Sequence, residues 1–237
     1  MLSLSIVSHG QSVLIRHLLD DLARLQWPDI EVIITLNIPE DESTYENRSY
    51  PIKIIRNVSP KGFGANHNSA FEVAKGSYFI VVNPDIRLQS LNIHTLLAVL
   101  DHPKVGVVVP SVYNSAGNIE DSARHFPTIY RLVQRIIFRR RTLDYHGCKL
   151  PVDIDWGAGM FMVFRPNAFA VVNGFDHNRF FMYLEDVDIC KRLHDKGWRV
   201  VLQPAARVVH DAQRGSHRSL QHLRWHLTST FRYLTGL

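Results

Sequence analysis

Residues 77–85 read Ser-Tyr-Phe-Ile-Val-Val-Asn-Pro-Asp, an apolar run that stops abruptly at a polar turn. Residues 77–82 read as a strand. Pro84 cannot continue a central strand, and it biases Asn83 towards an extended conformation. Asp85 is therefore carried past the strand end, which is where open α/β sheets bind ligands. At such a place a carboxylate can hold a hard divalent cation against phosphate oxygens. The same tripeptide is also compatible with an Asx turn in which Asp85 caps a helix.

On both sides of this stretch, strand and helix signals alternate. Residues 4–8 form a short apolar strand, and Leu14, Leu18, Leu22 and Leu25 then recur at helical spacing. Residues 31–36 and 52–56 read as the second and third strands. Residues 64–75 read as a helix with Ala65, Ala70, Phe71 and Ala74 apolar, closed by Gly76 as a C-cap. Residues 91–100 read as a helix, and residues 105–109 as a strand that Pro110 stops. Strands alternating with helices imply parallel pairing through right-handed crossovers. The first half is thus a doubly wound, mostly parallel α/β sheet.

The second half is less regular. Residues 129–138 read as an amphipathic helix running into Arg139, Arg140 and Arg141. Residues 152–156 and 160–164 read as strands around Gly157-Ala158-Gly159, residues 184–196 as a helix and residues 198–202 as a strand. The basic segment 217–234 carries Leu220, Leu223, Leu227 and Phe231 on one helical face. No repeat or Gly/Ser linker interrupts the chain, so it reads as one domain whose second half completes the sheet and builds the far side of a cleft.

Composition excludes several classes. With 237 residues, 46% hydrophobic and 21% charged, the chain is an ordinary globular protein and not a disordered one. Two cysteines are too few for a disulfide framework or a zinc site and suit a reducing cytosol. No apolar run approaches the roughly 18 residues that cross a bilayer. The N-terminus lacks a basic n-region, so no signal peptide is expected. The net charge of +5 suits anionic partners.

Five further places carry chemistry. Ser8-His9-Gly10 follows the first strand and Asn37 the second. Lys61-Gly62-Phe63-Gly64-Ala65-Asn66-His67 approaches a dinucleotide fingerprint, but His67 stands at the third glycine and the turn follows the third strand. What remains is a tight glycine turn or a cradle for diphosphate at a helix N-terminus. Glu185-Asp186-Val187-Asp188 opens a helix, where acids are common for capping reasons. At about 100° per residue, Asp186 shares a face with Ile189, Cys190 and Leu193, while Asp188 points away with Lys191 and Arg192. Asp186 then reads as a desolvated general base and Asp188 as a surface residue. His210, next to Asp211 in a loop with Arg214, Gly215 and Ser216, is either structural or a metal ligand.

The order of Gly62-Phe63-Gly64-Ala65-Asn66, Asn83-Pro84-Asp85, Gly157-Ala158-Gly159-Met160, Gly174-Phe175-Asp176, residues 180–188, Gly197-Trp198 and His210 closely resembles family 2 glycosyltransferases, in particular the rhamnosyltransferase-like branch of bacterial surface-polysaccharide biosynthesis. The resemblance spans residues 4–210. It implies a GT-A fold and inverting, metal-dependent transfer of a sugar from a UDP- or dTDP-linked donor to a saccharide or lipid-linked saccharide. About 1–115 would bind the nucleotide-sugar, about 116–210 would be the acceptor and catalytic half, and 211–237 a basic amphipathic helix. It further implies that Asp186 is the base, that Asp85 and His210 hold Mg2+ or Mn2+, and that Trp156, Gly157, Ala158, Gly159 and Glu185 border donor sugar and acceptor. Ser8, His9, Gly10, Asn37, Lys61, Gly62, Asn66, Asn83 and Asp85 would hold the nucleotide part. Two departures touch the base and ribose end: His9-Gly10 replaces the usual Tyr-Asn, and Leu36-Asn37 replaces an Asp-Asn pair, so the nucleoside contact is lost or passes to Glu40 or Asp41. Asn83 as the first member of the DxD-type motif leaves one carboxylate for the ion.

The basic runs suggest either a cytoplasmic protein resting on an anionic membrane surface at the inner face or a solvated helix partly packed on the core. No nucleic-acid-binding motif accompanies the charge, and the sequence assigns no oligomeric state. A non-catalytic nucleotide-sugar-binding or regulatory module would keep Asp85 but have no need of Asp186.

Overall fold

A computed structural model describes residues 1–128, 130–131, 143–145, 147–211 and 220–236. The chain enters through β1 (Leu2–Ser8), α1 (Ser12–Leu25), β2 (Ile30–Leu36), β3 (Ile52–Arg56), α2 (Phe63–Val73), β4 (Tyr78–Val82), β5 (Ile86–Arg87) and α3 (His94–Leu100). It continues through β6 (Val105–Asn114), β7 (Ala123–Arg124), β8 (Val152–Asp153), β9 (Trp156–Gly157), β10 (Phe161–Phe164), α4 (Pro166–Val171), α5 (Glu185–Asp195), β11 (Arg199–His210) and α6 (Leu220–Thr235).

The main sheet runs β3-β2-β1-β4-β10-β6-β11-β5, with β8 also pairing to β11, and β7 and β9 form a separate ribbon. β3, β2, β1 and β4 are parallel, and so are β6 and β11. β10 is antiparallel to both β4 and β6 and joins the two parallel groups. Strand alternation distributes side chains to two apolar layers. Ile80 and Val82 face α1 and α3 with Leu18, Leu22, Leu96 and Leu100. Phe79 and Val81 face the opposite layer with Phe164, Phe169, Val187 and Leu193. Helices therefore cover both faces, as parallel pairing requires.

Several boundaries differ from the sequence reading: residues 152–156, read as one strand, divide between β8 and β9, and four others have a clear physical cause. The second helix ends at Val73, not Lys75. Gly76 is needed for a close approach instead of a cap: a Cβ there would lie 2.6 Å from the Ser3 backbone nitrogen. The helix expected from residue 91 starts at His94, after the Asn92 side chain accepts the His94 N–H at 3.0 Å. β6 runs through Pro110 to Asn114. Pro110 is tolerated because β10 pairs only with Val107 and Val108, and β11 shifts register just beyond its partner Gln203. β11 continues past that irregularity to His210, which is the last residue of a strand and not a loop residue.

The segments read as the helix 129–138, the run Arg139 to Arg141 and the loop Arg214 to Ser216 fall largely or wholly outside the described residues, as do His217 and Arg218. Among the described residues no helix is long and apolar enough to cross a membrane.

One buried charge on α1 fixes the corner that carries Asp85. Asp21 accepts hydrogen bonds from Arg87 Nε at 2.7 Å and Nη2 at 2.9 Å, from the Leu88 N–H at 3.0 Å and from Arg24 at 3.0 Å. Burial raises its pKa, but these donors outweigh burial and leave it below the usual carboxylate value. Arg87 belongs to β5, whose Ile86 pairs with His210. Asp21→Ala should lower stability by about 2–3 kcal/mol, since Arg87 and Arg24 can rehydrate but the Leu88 N–H cannot easily do so. Chemical denaturation checks this; an unchanged midpoint would contradict it.

Candidate active site

The polar clusters lie at the carboxyl ends of the parallel strands. β4 ends at Val82, and the chain turns through Asn83-Pro84-Asp85 with the Ile86 N–H donating to the Asn83 carbonyl at 3.2 Å. The Asp85 carbonyl accepts the Asp211 N–H at 2.9 Å, so this turn is fastened to the end of β11. Asp85 Oδ2 lies 3.2 Å from His210 Nε2, while Asp85 Oδ1 is buried without a hydrogen-bond partner. His210 Nδ1 lies 2.9 Å from Glu120 Oε2. The Asp85 hydrogen bond, and then Glu120, raise the His210 pKa to about 9 against the opposing effect of burial. The ring is thus an imidazolium bridging two carboxylates.

This corner suits a hard divalent ion. The unpartnered Asp85 oxygen is a hard donor that Mg2+ and Mn2+ both accept, while the borderline imidazole nitrogen favours Mn2+ over Mg2+. Ligation needs neutral imidazole, so the Nε2 proton is the one an ion would displace. Among the described residues no group of three or more His, Cys, Asp or Glu side chains forms a complete cage. Remaining ligands would have to come from phosphate and water.

Asp186 is reached from Asp85 through backbone contacts. The Asn83 N–H donates to the Met160 carbonyl at 2.9 Å, and the Gly159 N–H donates to Asp186 Oδ2 at 2.9 Å. Asp186 Oδ1 accepts the Val187 N–H at 2.9 Å. The residue is partly exposed, yet its carboxylate is desolvated, and this raises its pKa although the N–H groups and the nearby Arg124 oppose the shift. Glu185 beside it is buried, one oxygen has no partner, and burial plus the Asp186 charge push it up to about 8. Two consecutive residues before the helix, Tyr183 and Leu184, have φ of 72° and 68°. Held strain of this kind is typical of functional turns. It aims the first turn of α5 at the loop of residues 157–160.

That loop is also anchored just before β7: the Ala158 N–H donates to the Ser122 carbonyl at 2.7 Å. Trp156 donates its indole N–H to the His125 carbonyl at 3.0 Å, and the Arg124 guanidinium sits 5.6 Å from its ring centroid. Gly157 and Gly159 pack against Val109 and Phe63.

At the other end, Ser8 donates to Glu40 Oε2 at 2.7 Å, and the Tyr45 hydroxyl donates to Glu40 Oε1 at 2.6 Å. Asp41 is instead occupied with Ser43 in an exposed turn. Of the two acids that could replace the missing one after β2, Glu40 is the one beside Ser8. His9 and Gly10 are exposed at this rim. Asn37 is committed to the loop beneath: its Oδ1 accepts the Lys61 N–H at 2.7 Å and its Nδ2 donates to the Lys61 carbonyl at 2.9 Å. Asn66 donates to the same carbonyl at 3.2 Å and accepts from Asn57 at 2.6 Å. Gly62 makes room for a backbone, since a Cβ would meet the Phe181 carbonyl oxygen at 2.2 Å, and the Phe63 N–H donates to that oxygen at 3.1 Å. The N-terminus of α2 is therefore filled by protein groups at this point.

Asp188 is not a surface residue. It is buried and paired with Arg192 at 2.7 Å and Arg179 at 3.4 Å. The helical angle separates it from Asp186 correctly, but both sides of α5 are covered: Arg192 also donates to the carbonyls of Val172 and Gly174. Nothing local to Ile119-Glu120-Asp121-Ser122-Ala123-Arg124 marks Glu120 or Arg124 in the sequence.

The model of the family "Glycosyl transferase family 2" matches residues 3–165. Rhamnosyltransferase WbbL of Escherichia coli (strain K12) is 32% identical over 190 residues, 73% of this chain and 70% of that protein. The N-acetylglucosaminyl-diphospho-decaprenol L-rhamnosyltransferase of Mycobacterium tuberculosis is 32% identical over 202 residues, 81% of this chain and 65% of that protein. The chain thus spans about two thirds of these relatives. In fold it is similar to a mannosyltransferase from Pyrobaculum calidifontis in complex with GDP-Man and Mn2+, with a TM-score of 0.64 and 18% identity over 98% of this chain and 64% of that one.

Glu185 gives a prediction with a definite sign. Its folded pKa lies above the ordinary 4.5, so the stability it contributes is complete below that value and is lost as pH rises through about 8. Glu185→Gln should gain on the wild type by at least about 1 kcal/mol between pH 5 and pH 9, a relative rise of about 2–4 °C in Tm. Parallel pH dependences in thermal unfolding would contradict it.

Proposed function

The chain belongs to glycosyl transferase family 2, and from that premise we propose that it moves rhamnose or a related sugar from a UDP- or dTDP-linked donor to a saccharide or lipid-linked saccharide in surface-polysaccharide biosynthesis. The observation that carries this reading is the desolvated Asp186 carboxylate, held by the Gly159 and Val187 N–H groups and tied through Met160 to the Asn83-Pro84-Asp85 turn. The names of the two bacterial relatives support the sugar, and that of the mycobacterial one supports a diphospholipid-linked acceptor.

In this reading Asp186 takes the proton of an acceptor hydroxyl while that oxygen bonds to the anomeric carbon. The bond from the same carbon to the diphosphate oxygen breaks, and configuration inverts. A raised pKa brings the base closer to working pH. Its two N–H contacts hold the carboxylate oriented, and Glu185, protonated at neutral pH, adds no second negative charge beside it. Asp85 and His210 would hold Mg2+ or Mn2+, which would supply positive charge against a leaving diphosphate. Ser8 and Glu40 lie at the nucleoside end, with His9 and Gly10 at its rim.

The acceptor side adjoins α6. One face of this helix packs on the body, with Ser229 donating to the Met182 carbonyl at 2.8 Å, Tyr183 and His222 hydrogen bonded at 2.7 Å, and Trp225 5.0 Å from Phe181 between ring centroids. The opposite face leaves Leu223, Leu227 and Phe231 more than half exposed. Residues 212–237 contain four Arg and no acid. An apolar stripe in a basic segment supports contact with an anionic membrane at the cytoplasmic face, where a lipid-linked acceptor would meet the base.

Asp186→Asn should lower turnover about 10²–10⁴-fold while nucleotide binding persists, measured as nucleoside diphosphate release with acceptor. Near-normal turnover would overturn the assignment, and no turnover in the wild type with any donor would favour a non-catalytic binding module. Replacing Leu227 and Phe231 by Ser together with Arg224→Glu should abolish sedimentation with phosphatidylglycerol vesicles. Unchanged sedimentation would contradict the membrane contact.

A further inference from the structure

The Asp85 corner contains a second carboxylate that the reaction as described does not use. Glu120 Oε2 lies 2.9 Å from His210 Nδ1, while the other ring nitrogen, Nε2, faces Asp85 Oδ2 at 3.2 Å. The two nitrogens of an imidazole point in divergent directions. A group bonded at Nδ1 therefore cannot share an ion held at Nε2, so Glu120 acts on that place only through the ring. We propose that Glu120 is the positioning residue for His210, fixing the ring so that Nε2 is the nitrogen presented beside Asp85. The proposal rests on the reading that Asp85 and His210 hold a divalent ion.

The geometry gives three reasons. An imidazole that ligates through one nitrogen generally donates its other N–H to a carboxylate, carbonyl or water, which selects the tautomer and the ring plane. Glu120 is such an acceptor and approaches the correct nitrogen. Second, its backbone is fixed: the Glu120 N–H donates to the Val112 carbonyl at 2.8 Å, and the Glu120 carbonyl accepts the Ser122 N–H at 2.9 Å. Val112 lies on β6, which pairs with β11 through Val112–Val208 and Asn114–His210. Carboxylate and ring thus stand on paired strands and a segment bonded to one of them. Third, His210 and Glu120 side chains are 17% and 27% exposed, so the bond between them is partly shielded from water.

The test measures metal binding and not turnover. Mn2+ is titrated into the full chain in the presence of UDP, and separately of dTDP, with free Mn2+ read by electron paramagnetic resonance. Glu120→Ala should weaken Mn2+ binding about 10–100-fold, the usual effect of removing an outer partner of a metal-bound histidine. Glu120→Gln keeps an acceptor oxygen and should restore most of that affinity, which a general loss of stability would not explain. His210→Ala should weaken binding at least as much as Glu120→Ala. Wild-type affinity in Glu120→Ala alongside a defective His210→Ala would overturn the role of Glu120 and leave the metal reading intact. Undiminished binding in His210→Ala, or no binding in the wild type with either nucleotide, would overturn the metal reading and the role of Glu120 with it.

Discussion

The reversed strand β10 is the constraint on which the candidate site depends. It pairs antiparallel to β4 on one side and β6 on the other, so its first residue, Phe161, lies opposite Val82 at the carboxyl edge of the parallel strands. The loop of residues 157–160 must therefore enter the sheet where β4 leaves it. There its backbone reaches two ways, from Met160 to Asn83 and from Gly159 to Asp186. Two acidic centres drawn from sequence positions 101 residues apart are thereby held by a few peptide groups. A parallel strand in the same slot would bring its opposite end to this edge.

The acids of the site have different surroundings. Asp85 and Glu120 share a protonated His210, which compensates both. Asp186 receives two N–H groups but remains desolvated, so its pKa is raised without a cation in direct contact. Glu185 has neither compensation for one oxygen nor access to water, and it is pushed up to about 8. An acid that is kept neutral next to one that can ionise is a recurrent way of separating roles in a site.

Much of this was legible in the residues. The alternation around residues 77–85 specified the parallel sheet, because apolar runs stopped by polar turns are local signals. The split between Asp186 and Asp188 followed from helical angle alone, but the burial of Asp188 did not, since it depends on Arg179 and Arg192 from both sides of α5. Pro110 reads locally as a stop because the strand irregularity that accommodates it lies near Gln203, 93 residues away. Gly62 reads as part of a tight turn or a diphosphate cradle and Gly76 as a C-cap, yet what they admit is the backbone of Phe181 and of Ser3. Glu120 carried no local signal. Its meaning comes from β11 delivering His210 alongside, a pairing that sequence spacing does not reveal.

The most direct test of the account is nuclear magnetic resonance of the linkage formed when the chain is given dTDP-linked or UDP-linked rhamnose and an N-acetylglucosaminyl diphospholipid. A single displacement driven from Asp186 predicts a transferred sugar of inverted anomeric configuration, formed only when acceptor is present. Retained configuration, or no transfer from either donor, would contradict it.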